Sequence, residues 1–162
     1  MDAGFKLANG EIILTIDADS QYDPQDLLRI LEELRSHDVD AVLGKRLNRT
    51  SGLMKKICSQ VAVFIRNFVL HESYQDASLG GYKRQCLQGL ILYKNTQIFM
   101  PAFLRMRGFR IKEINVTEYP RKYGQSKYNL KNRLFKRLYA LLVIKWLKDN
   151  QLKYKISNII KS

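Results

Sequence analysis

The sequence predicts an α/β fold, and three observations predict it. Short aliphatic runs at residues 11–16, 40–44 and 111–116 have the length and β-branched content of buried strands. Between them lie longer stretches whose apolar residues recur at helical spacing, so strands alternate with helices as in a layered α/β sheet. The chain has 162 residues, 46% of them hydrophobic, enough for one sizeable core but short for two ordinary domains.

In chain order, Asn9-Gly10 leads into the first strand, and Asp17-Ala18-Asp19 stands at that strand's carboxyl end. Asp23 is placed to cap the next helix, Pro24 suits its first position, and Asp26 favours the positive end of its dipole. Leu27, Leu28, Ile30, Leu31 and Leu34 then form its apolar stripe. A second strand at 40–44 is followed by an amphipathic helix at 53–70. Residues 72–84, with Gly80-Gly81, read as a polar loop, and residues 97–106 as a helix ending at Gly108. A third strand over 111–116 runs on to a basic loop at 120–127. A long basic amphipathic helix over 130–148 and a weaker one over 152–160 close the chain.

Charge divides the chain. Residues 1–101 hold 12 Lys+Arg and 12 Asp+Glu, whereas residues 102–162 hold 16 and 3, so the whole net charge of +13 lies in the last third. That points to a polyanionic partner or surface. A nucleic-acid-binding domain is one class with this signature, but the neutral first two-thirds argues against it. Two cysteines, Cys58 and Cys86, are too few for a structural zinc site and fit reduced thiols. Residues 1–10 contain no signal-peptide-like apolar stretch. The longest uninterrupted apolar run is seven residues, 138–144, where a membrane-spanning helix needs about 20. In the 130–148 helix, Leu134, Leu138, Leu141, Leu142 and Trp146 accompany Lys131, Arg133, Arg137, Lys145 and Lys148. It fits either an in-plane membrane anchor or a core-packing helix with a charged face, and burial of Trp146 would mark the second.

Asp17 and Asp19, two apart at a strand end, can face the same way. Close carboxylates repel each other unless a cation lies between them. Mg²⁺ or Mn²⁺ resolves the conflict, taking one or two carboxylates and completing its shell with phosphate oxygens and water. The plainer alternative is a strand end with two capping aspartates. Arg121 and Lys127 flank Gly124, which permits a sharp turn, so a curled loop brings both cations and the Ser126 hydroxyl onto one phosphate. Its alternative is a solvated basic loop.

These residues carry a resemblance. The stretch Gly10-Glu11-Ile12-Ile13-Leu14-Thr15-Ile16-Asp17-Ala18-Asp19-Ser20-Gln21 resembles the donor-metal strand of family-2 glycosyltransferases of the GT-A type. The similarity is greatest to the dolichol-phosphate mannosyltransferase and undecaprenyl-phosphate glycosyltransferase branch. Asp40-Ala41-Val42-Leu43-Gly44-Lys45-Arg46 resembles the strand and basic turn that follow. Pro120-Arg121-Lys122-Tyr123-Gly124-Gln125-Ser126-Lys127-Tyr128 matches the branch's Arg-x-x-Gly-x-Ser-Lys signature.

The resemblance implies a partial GT-A (Rossmann-like) fold lacking the first strands, with residues 1–128 as the carboxyl-terminal portion of the catalytic domain and 129–162 as a basic helical tail. It implies a metal-dependent, inverting transfer of a sugar from a GDP- or UDP-linked donor to polyprenyl phosphate, at the cytoplasmic face of the membrane as a peripheral protein. Asp17, Asp19 and Gln21 would serve donor and metal, Arg46, Arg121, Ser126 and Lys127 the acceptor or diphosphate, and Asp76, with Asp19, the catalytic step. Residues 1–8 correspond to the end of the helix before the metal strand, and the part of the family fold that cradles the nucleotide base has no counterpart. Either the chain is an N-terminally truncated fragment or a second chain supplies that half, and the alternative function is an incomplete transferase that only binds membrane or a partner.

Overall fold

The computed structural model describes residues 1–18, 21–36, 38–46, 53–74, 79–93, 96–119 and 130–151, with backbone alone at 53–59, 97 and 130–137. Helix α1 (Asp2–Leu7) leads to β1 (Ile12–Thr15), α2 (Pro24–Ser36), β2 (Ala41–Arg46) and α3 (Leu53–Leu70). Then come β3 (Gly80–Lys83), the short α4 (Arg84–Leu87), a 3-10 turn (Gln97–Phe99), α5 (Met100–Met106), β4 (Ile111–Val116) and α6 (Leu130–Asp149). The weaker helix expected over 152–160 lies outside the described residues.

The four strands form one open sheet in the order β1-β3-β2-β4. Strand β3 runs antiparallel to both β1 and β2, whereas β2 and β4 are parallel. Strands β1, β2 and β4 therefore share one direction, and their carboxyl ends emerge on one edge of the sheet. The reversed strand begins at that same edge, where Gly80 is opposite Thr15 and Leu43.

Strand β3 corrects the reading of residues 72–84 as a loop. Two adjacent glycines weaken a strand by propensity, but here the packing demands them. A Cβ on Gly81 would come within 2.5 Å of Ile30 Cγ2 and 2.7 Å of Leu34 Cδ1. Helix α2 thus sits directly on the β3 backbone, with Ile30 and Leu34 buried against Val42, Leu79 and Val116. Its amino terminus is built as its residues predict: Asp23 Oδ1 accepts from the Gln25 amide at 2.9 Å, and Pro24 is the first helical residue. Leu28, placed on the apolar stripe by spacing, is exposed instead. Helix α5 ends before Gly108, whose φ of +84° is open to glycine at little cost.

On the other face of the sheet, Tyr82, Cys86, Leu87, Met100 and Leu104 surround Ala41 and Leu43. A third cluster joins the helices: Leu70 of α3, Phe99, Phe103 of α5, and Ala140, Leu141 and Ile144 of α6. No helix among the described residues is long and apolar enough to cross a membrane.

Cys86 is fully buried, and its thiol donates to the Asp40 carbonyl oxygen at 3.1 Å. Burial first, then the Asp40 charge, pushes it up to about 11. The folded value lies above the unfolded one, so this term stabilises the fold below pH 9 and is lost as pH climbs towards 11. In a Cys58→Ser chain, a thiol-reactive dye at pH 8 is expected to label Cys86 only as fast as the chain unfolds, whereas denaturant should give full labelling at once. Prompt labelling of the native chain would contradict this burial.

Candidate functional site

The sheet brings the predicted segments to one edge. Asp17 lies two residues beyond Thr15, the last residue of β1, and is exposed. Arg46 is the last residue of β2, and Glu118 and Tyr119 follow Val116, the last of β4. In an open α/β sheet this carboxyl edge is where ligands bind. Asp19, Asp76, Arg121, Ser126 and Lys127 lie outside the described residues. Their neighbours in the chain nevertheless enter or leave at this edge: Asp76 precedes β3, and Arg121 follows Tyr119 by two residues.

Two backbone contacts join the segments. Residues Tyr22 and Glu118 form an isolated antiparallel bridge. The Tyr119 amide donates to the Gln21 carbonyl oxygen at 2.8 Å, and Gln21 Nε2 donates to the Tyr119 carbonyl oxygen at 3.3 Å. The exit from Asp17-Ala18-Asp19 is thereby stitched to the entrance of the basic 120–127 segment. Gln21, expected to serve the donor, uses its side-chain amide in this stitch. A further tie runs from the Thr117 amide to Asp26 Oδ2 at 3.4 Å, holding the start of α2 to the same strand end.

Arg46 is anchored here as well. Its Nη1 donates to Glu118 Oε1 at 3.2 Å, and its guanidinium lies 5.8 Å from the Tyr22 ring centroid. Glu118 is 9% exposed, and its Oε2 finds no hydrogen-bond partner among the described residues. A buried carboxylate beside Arg46 neutralises much of the charge that residue would offer a phosphate. Sequence reasoning missed Glu118 and Tyr22, because the Arg46–Glu118 pair spans 72 positions and no local spacing announces it.

Among the described residues, no three His, Cys, Asp or Glu side chains lie close enough together to hold a metal by themselves. Mg²⁺ and Mn²⁺ need fewer, one or two carboxylates with phosphate oxygens and water, and an exposed Asp17 at a strand end suits that role. A separate shallow groove of about 220 Å³, lined by Arg29, Glu32, Glu33, Ser36 and Ile114, lies along α2, away from this edge.

Residues 1–86 match the family described as Glycosyl transferase family 2. The chain belongs to that family. Over 149 residues it is 32% identical to the dodecaprenyl-phosphate galacturonate synthase of Rhizobium johnstonii, covering 89% of this chain and 44% of the relative. Over 142 residues it is 28% identical to the undecaprenyl-phosphate 4-deoxy-4-formamido-L-arabinose transferase of Photorhabdus laumondii, covering 86% of this chain and 43% of the relative. The chain thus spans less than half the length of these relatives.

Among solved structures, glucosyl-3-phosphoglycerate synthase from Mycobacterium tuberculosis shares the fold. Its phosphoglyceric acid complex superposes with a TM-score of 0.66 at 15% identity, covering 90% of this chain and 53% of that one. Its uridine-diphosphate complex gives 0.63 at 13% identity with the same coverage. A family 2 glycosyltransferase of GT-A type, with a mixed α/β open sheet, is what the sequence led one to expect.

Proposed function

We propose that this family 2 chain is the catalytic part of an enzyme that transfers a sugar from a UDP- or GDP-linked donor to a polyprenyl phosphate. The observation that carries the reading is the stitch of Gln21 and Tyr22 to Tyr119 and Glu118, which puts the Asp17 strand end beside the entrance to the Arg121-to-Lys127 segment. A donor diphosphate and an acceptor phosphate both need cationic partners at one place, and these two segments supply the metal-binding acids and the phosphate-binding bases. Relatives named for dodecaprenyl and undecaprenyl phosphate support the acceptor class, and the uridine-diphosphate complex of the structural neighbour supports the donor class.

In the proposed reaction an acceptor phosphate oxygen attacks the sugar's anomeric carbon from the face opposite the diphosphate. The new C–O bond forms as the bond to the diphosphate breaks, so the nucleoside diphosphate leaves with the bonding electrons and the configuration inverts. Asp17 and Asp19 would hold Mg²⁺ or Mn²⁺, which supplies charge stabilisation for the departing diphosphate. Arg121, Ser126 and Lys127 orient the acceptor phosphate. That phosphate is largely a dianion at neutral pH and needs positioning and charge neutralisation more than deprotonation, which Arg121 and Lys127 give, and Asp76 would be the acid that faces the acceptor. Arg46, held by Glu118, braces the edge beside the diphosphate. The work is set at the cytoplasmic face of a membrane, where a lipid-linked acceptor is met.

In the sheet as described, β1 is a terminal strand, and its outer edge offers pairing to a further strand that would complete the nucleotide pocket. The test is release of nucleoside diphosphate from UDP- and GDP-sugars by the chain with dodecaprenyl phosphate in detergent. Release is expected only when Mn²⁺ or Mg²⁺ and the acceptor are both present. Release that ignores the acceptor would overturn the acceptor assignment. No release under any donor would favour the other reading, an incomplete transferase that needs a partner chain.

A further inference from the structure

We infer that Tyr82 and Thr15 are positioning residues for Asp17: their hydroxyls lock the last rung of the β1–β3 ladder and so fix where that carboxylate projects. Two adjacent glycines open β3, and Gly81 makes room for α2. Gly80 makes room for Tyr82. A Cβ on Gly80 would lie 2.8 Å from Tyr82 Oη and 3.1 Å from its Cζ, with Leu43 Cδ2 at 3.3 Å. The tyrosine ring therefore leans back along its own strand and lays its hydroxyl where a side chain of residue 80 would stand. Because β3 begins at the carboxyl edge of the sheet, that lean carries the phenol towards the edge where Asp17 lies.

Gly80 is opposite Thr15, the last residue of β1. Alternate residues of a strand and opposite residues of a pair share a face, so Thr15, Gly80 and Tyr82 meet on one side of the sheet. Thr15 Oγ1 donates to the Gly80 carbonyl oxygen at 3.2 Å. Its single hydrogen is thereby committed, so in its bond with Tyr82 the phenol is the donor. A chain of hydrogen bonds runs from phenol to threonine to carbonyl, each polarising the next. Burial pushes the phenol up to about 12 and the Thr15 hydroxyl pulls the other way, so Tyr82 keeps its proton near neutral pH.

Tyr82 is 4% exposed beside Ala41, Leu43, Met100 and Leu104. Phenylalanine would serve that apolar cluster, and a hydroxyl buried there costs free energy unless it is bonded. Its bond goes to the strand end. Beyond Thr15 the chain loses its cover, with Ile16 41% exposed and Asp17 exposed. A carboxylate that must meet a metal and a diphosphate within a fraction of an ångström needs a fixed origin, and Thr15 supplies it.

The inference rests on the proposed role of Asp17, but its first test needs neither donor nor metal. Backbone amide order parameters of Ile16 and Asp17 in the full chain are expected near the rigid value of about 0.85. Thr15→Val keeps the shape and removes the hydroxyl, and both values should fall below about 0.6 while Val42 stays rigid. Thr15→Ser, which keeps the hydroxyl, should restore them. Tyr82→Phe removes Oη alone and should lower them in the same direction. In the transfer assay, Thr15→Val should raise the Mn²⁺ concentration for half-maximal rate about fivefold or more with acceptor KM unchanged.

Should Thr15→Val unfold, Tyr82→Phe is read in its place. Order parameters that stay rigid in these variants would overturn the inference, as would low values in the unaltered chain or a fall that Thr15→Ser shares in full. An Mn²⁺ requirement untouched by Asp17→Asn would instead overturn the proposed metal role, and the order parameters would still decide whether Tyr82 and Thr15 hold the strand end.

Discussion

Asp17→Asn is expected to lower sugar transfer by about two to three orders of magnitude while leaving the fold intact. The size follows from the loss of one preorganised group facing charge that develops in the transition state. Asparagine keeps the shape of aspartate and removes its charge, and Asp17 is exposed beyond the end of β1, so little packing depends on it. The split between kinetic parameters is informative. If the carboxylate acts through a metal on the leaving diphosphate, kcat should fall more than donor KM rises, and excess Mn²⁺ should restore part of the rate. Steady-state release of nucleoside diphosphate, with thermal melting as the control for folding, measures this. A loss under tenfold would remove the Asp17-Ala18-Asp19 pair from the centre of the chemistry.

Glu72→Ala is expected to cost about 3 kcal/mol of stability and to lower the melting temperature by roughly 6–12 °C. Glu72 follows α3 with its side chain 4% exposed, and it pairs with Arg105 of α5 and with Lys148 of α6, the latter at 2.8 Å. Removing it leaves two neighbouring cations without their counter-charge in a largely dry setting. Arg105 and Lys148 keep 32% and 30% exposure, which places the cost at the lower end for a broken buried pair. Lys148 also donates to the Leu70 carbonyl oxygen, so the end of α6 is held to the end of α3 through one lysine. Loss of Glu72 should therefore loosen α6 first, seen as faster hydrogen exchange over residues 140–149 before global unfolding. A change under about 0.5 kcal/mol would show that the cluster behaves as an ordinary surface pair.

Elements with local causes were legible in the sequence. β1, the capped α2 and α3 came from periodicity, Asp23 and Pro24, and their positions agree with the structure to within a residue or two. Strand β3 was not legible, because Gly80-Gly81 looks like a turn until Ile30 and Leu34 are seen pressing on its backbone. Likewise α6 was legible as a helix, but a helix apolar on both sides does not say which side the protein fills. Ala140, Leu141 and Ile144 are settled only by contact with Phe103 and Leu70. The sequence marked Asp17, Gln21 and Arg46 as candidates, and the fold places all three near the carboxyl edge of the sheet. Glu118 was not marked, since its partners Arg46 and Tyr22 come from distant parts of the chain and only the sheet brings them together.

The reversed strand also governs the order of assembly on the ribosome. Ile12 pairs with Lys83, and Ala41 with Tyr82, so neither β1 nor β2 has its neighbour until β3 is made. At translation rates of about 5–20 residues per second, the 68 residues from Thr15 to Lys83 take roughly 3–14 s. Throughout that time the Ile12–Thr15 segment lacks its β3 neighbour. The nascent chain is then a ready client for a chaperone, and the carboxyl edge of the sheet takes shape only once the later strands have been translated.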